Sequence, residues 1–141
     1  MTRVDFYFNA SNKFEVMRKL ASKAMLADQY VLINAEDSVH AKELDRLLWT
    51  SQPLSFLPHV LTEHVLASAT SVLIGQTPYS IARPDVVINM ACAIPVWFSR
   101  FDRLLDIVSQ DPEDKALARH RFRFLKDNGY DIAVHDLQAS K

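Results

Sequence analysis

The sequence predicts an α/β layer fold around a mostly parallel central sheet, and three observations carry that expectation. Runs rich in β-branched and aromatic residues alternate with segments of helical apolar spacing, in the order β-α-β-α as far as Trp49. Three short runs, Tyr30-Val-Leu-Ile-Asn34, Val72-Leu-Ile-Gly75 and Asp85-Val-Val-Ile-Asn-Met90, are apolar on successive residues, as strands buried on both faces of a parallel sheet are. The 141 residues are enough for one hydrophobic core, and no repeat, low-complexity tract or linker divides them. One domain over residues 1–141 is therefore expected.

The elements follow in order. Val4-Asp-Phe-Tyr-Phe8 is a β-rich run, and Asn9-Ala-Ser-Asn12 reads as the turn after it. From about Lys13 to Asp28, Phe14, Met17, Leu20, Ala21, Ala24 and Met25 recur at helical spacing. Asp37 or Ser38 can cap the next helix, which runs through Leu44, Leu47 and Leu48 to Trp49. The stretch Gln52-Pro-Leu-Ser-Phe-Leu-Pro-His59 is broken by its prolines and reads as a loop holding apolar groups. Between Trp97 and Val108 both periods fit: Phe101, Leu104, Leu105 and Val108 suit a helix, while Phe101, Arg103, Leu105 and Ile107 alternate as in a strand.

The last helix is better marked. Asp111 suits the N-cap, Pro112 the first turn, and Glu113 and Asp114 the positive end of the dipole. Asn128-Gly129 ends it, and its core face is expected to be Leu117, Phe124 and Leu125. Ile132-Ala-Val-His-Asp-Leu137 can then close the sheet as a final strand.

Composition excludes several function classes. Only Gly75 and Gly129 occur, so neither a dinucleotide fingerprint nor a P-loop can be written. Sixteen Lys and Arg against seventeen Asp and Glu give a net charge of −1, which argues against a long track for nucleic-acid phosphates. Cys92 is alone, so no intrachain disulfide forms, and within an apolar stretch it is expected to act as core filler. No signal pattern opens the chain and no apolar run approaches a membrane span, so a cytoplasmic protein without membrane contact is expected.

Catalytic constellations are equally scarce. Of the five histidines, His59 and His64 come nearest to a metal pair, but no further ligand accompanies them at metal spacing. They read as loop and surface residues, and neither a metal nor a cofactor is expected. Glu36-Asp37 and Glu113-Asp114 sit at helix starts, where the dipole accounts for them. No nucleophile elbow is present, which leaves enzyme the weaker class.

One feature does point outward. Lys115, Arg119, Arg121, Arg123 and Lys126 carry positive charge with no acidic residue among them. On a helix, Lys115, Arg119, Phe122 and Lys126 fall on one narrow stripe, with Arg123 flanking it. A run of this kind is most often a solvated face. A basic stripe with a ring among its charges also suits an acidic partner that has something apolar to bury.

Several blocks together resemble the chi subunit family of bacterial DNA polymerase III. They are the opening strand Val4-Asp-Phe-Tyr-Phe8, then Glu43-Leu-Asp-Arg-Leu-Leu-Trp49 followed by Ser55-Phe-Leu-Pro-His59. Asp85-Val-Val-Ile-Asn-Met90 and Ala118-Arg-His-Arg-Phe-Arg-Phe-Leu-Lys126 with Gly129-Tyr130 complete the match, which runs from end to end. The resemblance implies a non-catalytic adaptor with a three-layer Rossmann-like fold and no nucleotide site. It implies binding of the acidic, carboxylate-ended tail of single-stranded DNA-binding protein through Lys115, Arg119 and Arg123, with Val108 and Phe122 lining an apolar pocket. It further implies a second surface at Trp49, Phe56, Pro58 and His59 for the psi subunit of the clamp loader or an accessory helicase. Nucleic acid would then be reached only indirectly, and Arg121 and Lys126 would be left as solvated charges. Direct single-stranded nucleic-acid binding through the basic helix is the alternative.

Overall fold

The computed structural model describes residues 1–51 and 58–138. Seven strands are present among them: β1 (Arg3–Ala10), β2 (Val31–Asn34), β3 (His59–Leu61), β4 (Val72–Gly75), β5 (Val86–Asn89), β6 (Arg103–Ser109) and β7 (Ile132–Asp136). The helices are α1 (Lys13–Leu26), α2 (Ser38–Ser51) and α3 (Pro112–Asp127). All strand pairs are parallel, in the spatial order β3-β4-β2-β5-β6-β1-β7. Helices α1 and α2 cover one face and α3 the other, the three-layer Rossmann-like arrangement.

The central strands show why their sequences lack polar alternation. Val31 and Ile33 of β2 pack toward α1 and α2, whereas Leu32 packs toward the α3 side. Val72, Ile74, Val86 and Ile88 join the first set, and Leu73 and Val87 the second. With both faces covered, each position needs an apolar side chain.

The ambiguous segment resolves into a single 3-10 turn at Phe98–Arg100 followed by strand β6. The strand reading wins because β6 lies between β5 and β1, where alternate residues must serve two cores. Leu105 and Ile107 face α1, while Leu104, Asp106 and Val108 face α3. Strand β3 begins at His59, the last residue of the stretch expected to be loop, immediately after Pro58, where a missing N–H leaves the ladder with β4 intact.

Local chemistry fixes how α3 starts. The Asp111 carboxylate accepts from the Asp114 N–H at 3.3 Å, with Pro112 in the first turn. Asp114 in turn accepts from the Ser109 N–H at 2.7 Å and from Lys13 Nζ at 3.4 Å. Burial pushes the Asp114 carboxyl up, but the Ser109 backbone N–H and Lys13 outweigh it and hold the group below its ordinary value. The end of β6, the start of α1 and the first turn of α3 are thus tied together. Gly129, at φ 84°, turns the chain out of α3 into β7.

The face that α3 buries differs from expectation. Its buried residues are Ala118, Arg121 and Leu125, so of the expected core face only Leu125 is inside. Leu117 and Phe124 are 41% and 50% exposed, on a shoulder of the helix. Cys92 is exposed rather than core filler, because it lies in the loop after β5 and not in the strand.

Candidate functional site

A groove of about 320 Å³ runs between α3 and the strands at the β7 side of the sheet. One wall is Lys115, Ala118, Arg119 and Phe122, residues three and four apart that share a helix face. Phe6 and Phe8 of β1 and Val134 of β7 form the other wall, and Val108 closes the floor at the end of β6. Asn9 stands at the rim. Its φ of 65° goes with a register shift between Tyr7 and Ala10, and its amide donates to Asp136 at 3.0 Å.

The groove is apolar within and cationic at its margin. Val108 is buried, and Phe122 is half-buried with its ring edge-on to Phe6 at 5.4 Å between centroids. Lys126 is exposed, as expected of a solvated charge, with its Nζ 5.9 Å from the Phe122 centroid at the outer limit of a cation–π contact. Arg119 and Arg123 are exposed and Lys115 is half-buried. None of these three forms a salt bridge among the described residues. Of the nearby acids, Asp111 caps the helix and Asp114 is held by Ser109 and Lys13, while Glu113 is exposed and forms no salt bridge with them among the described residues. Unpaired cations beside a concave apolar floor can take a ligand that joins an anionic end to a ring or aliphatic group.

Of the five residues expected to bind a tail, Val108, Lys115, Arg119 and Phe122 meet in this groove. Arg123 does not line it but stands one turn beyond Arg119 on the same side of α3. Phe6, Phe8 and Val134 were missed by sequence reasoning. They reach the site because β1 pairs with β6 on one side and β7 on the other, a strand order that local sequence does not encode.

The second expected surface is partly described. Trp49, near the end of α2, is 52% exposed, and its ring lies 4.4 Å from that of His59. His59 is not a loop or surface residue: it opens β3, is buried, and its Nε2 is 3.4 Å from an Asp45 carboxylate oxygen. Pro58 is exposed beside it. Phe56 lies outside the described residues.

Arg121 is the clearest departure. Expected in solvent, it is buried and donates to Asp106 through Nε at 2.8 Å and a terminal nitrogen at 2.9 Å. Its other terminal nitrogen donates to the Cys92 carbonyl at 2.9 Å. Asp106 is itself fully buried, with the Asn89 amide 3.5 Å away. Burial pushes the Asp106 carboxyl upward, and the guanidinium and the amide oppose that push. Arg121 therefore pins α3 to β6 and is absent from the groove.

Among the described residues no three His, Cys, Asp or Glu side chains are grouped to hold a metal ion. No helix among them is long and apolar enough to cross a membrane.

Residues 1–133 match the family model described as "DNA polymerase III chi subunit, HolC". A DNA polymerase III subunit chi from Pseudomonas aeruginosa is 31% identical over 141 residues, covering 97% of this chain and 98% of that protein. Proteins of the same name from Haemophilus influenzae and Escherichia coli are 28% and 26% identical, over 87% and 84% of this chain and 86% and 81% of their own lengths. The chain belongs to the DNA polymerase III chi subunit family, accessory subunits of a replicative polymerase.

Proposed function

We propose that this protein is a cytoplasmic, non-catalytic adaptor that holds the C-terminal tail of single-stranded DNA-binding protein in the groove beside α3. The observation that carries the reading is the pairing of an apolar floor, Val108 and Phe122, with cations that no internal acid neutralises, Lys115, Arg119 and Arg123. A guanidinium can hold a terminal carboxylate through two parallel hydrogen bonds, while the floor accepts the terminal ring. Acidic residues farther up the tail meet Arg123, an exposed charge whose attraction salt weakens. The exposed Trp49 and Pro58 serve the second contact, to the psi subunit or an accessory helicase, with the buried His59 ring packed against Trp49 to position it, linking the tail to the clamp loader. One chi-like domain thereby bridges two partners and reaches nucleic acid only through them.

Calorimetric titration with single-stranded DNA-binding protein, intact and lacking its last few residues, tests this reading. Saturable binding is expected for the intact protein, weaker at higher salt, and none for the truncated one. Equal binding of both forms would overturn it, and binding of single-stranded DNA alone would favour the direct nucleic-acid reading.

A further inference from the structure

Strand β7 is an edge of the sheet, and among the described residues β1 is the strand it pairs with. The Leu137 N–H donates to the Phe8 carbonyl at 3.0 Å. In a parallel pair each residue presents its N–H and C=O to the same side, and successive residues alternate. Ala133 and His135 therefore turn their backbone toward β1, while Ile132 and Val134 turn theirs outward. Val134 also lines the groove with its side chain, on the face shared with its register partner Phe6. A chain that enters the groove from its open β7 side can thus also reach the outward backbone groups of Ile132 and Val134.

We propose that the tail binds in extended form, as an eighth strand added in parallel to β7. This rests on the reading that the groove takes an acidic, carboxylate-ended peptide. Charge sets the direction. Because β6, α3 and β7 form a parallel crossover, α3 runs opposite to β7. Lys115 and Arg119 consequently stand toward the end where β7 finishes, and Arg123 and Lys126 toward where it begins. A carboxylate at the first pair and acidic residues at the second give a chain that runs with β7.

Register follows from alternation. A terminal side chain that enters the groove belongs to a residue whose own backbone points away from β7. The residue before it then faces β7 and accepts from the Val134 N–H, and the residue two earlier accepts from the Ile132 N–H. Main-chain bonds of this kind add affinity while the groove reads alternate side chains.

Amide hydrogen exchange of the full chain, followed by NMR with and without a saturating peptide ending Asp-Phe-Pro-Phe, tests the inference. The Val134 and Ile132 amides are expected to exchange rapidly in the free protein and to slow by about tenfold or more in the complex. Saturable, Arg119-dependent binding with both amides unchanged would overturn the added strand and leave the groove reading standing. Absence of binding would overturn both. Protection already present in the free protein and rising with its concentration would assign the edge to a second copy, against the proposal.

Discussion

Replacing Arg121 with alanine is expected to destabilise the protein by about 3–5 kcal/mol, the loss seen when one partner of a buried ion pair is removed. The guanidinium makes two hydrogen bonds to Asp106 and one to the Cys92 carbonyl, and neither charged side chain can reach water. Its removal leaves a buried carboxylate whose remaining side-chain hydrogen-bond partner among the described residues is the Asn89 amide. The variant should also show a distinct pH dependence. Burial raises the Asp106 carboxyl above its ordinary value of 3.8, and without Arg121 nothing cationic in contact opposes the rise. A group whose pKa is raised by folding is accommodated best when protonated, so its contribution is lost as pH rises. The deficit of Arg121→Ala relative to the parent should therefore shrink as pH falls toward the carboxylate range. Urea denaturation at several pH values measures this, and the double variant Arg121→Met, Asp106→Leu should recover most of the loss. A loss below about 0.5 kcal/mol, the size of an ordinary surface substitution, would mean that the pair does not exist.

The opposite outcome is expected at Arg119, only two residues away. Arg119→Ala should leave stability within about 0.5 kcal/mol of the parent, because the side chain is exposed and bonded to no other group in the described chain. Its effect falls on tail binding instead. Hydrogen bonds to a charged group contribute about 1.5–3 kcal/mol. At about 1.4 kcal/mol per factor of ten, the dissociation constant should rise about 10- to 150-fold. Arg119→Lys should recover part of the affinity, since an ammonium keeps the charge and lacks the planar fork. Isothermal titration with the tail peptide reads the binding change, and the same samples in urea read the stability.

These neighbouring arginines show which parts of the molecule local sequence encodes. The caps of α3, its basic stripe and the doubly buried strands depend on residues close in the chain, and their spacing alone revealed them. The role of Arg121 depends on Asp106, a residue in β6 whose inward direction is set only when that segment becomes a strand between β5 and β1. A lone acid among apolar residues was the available signal, hidden because the segment fitted two periods. Leu117 and Phe124 were placed in the core on hydrophobicity, but the single face that packs on the sheet is Ala118, Arg121 and Leu125. His59 was misplaced for a related reason: the prolines before it masked a strand whose existence depends on pairing with β4. One wall of the candidate groove was likewise beyond local reading, because Phe6, Phe8 and Val134 come together with α3 through strand order alone.

Lys115 and Arg119, which form no salt bridge among the described residues, are expected to hold a terminal carboxylate. The most direct measurement is a parallel titration with two peptides ending Asp-Phe-Pro-Phe, one with a free terminal carboxylate and one amidated, at the same ionic strength. Binding through Lys115 and Arg119 predicts saturation by the free acid and a loss of about tenfold or more on amidation. Equal affinity for the two peptides, or no binding of either, would contradict it.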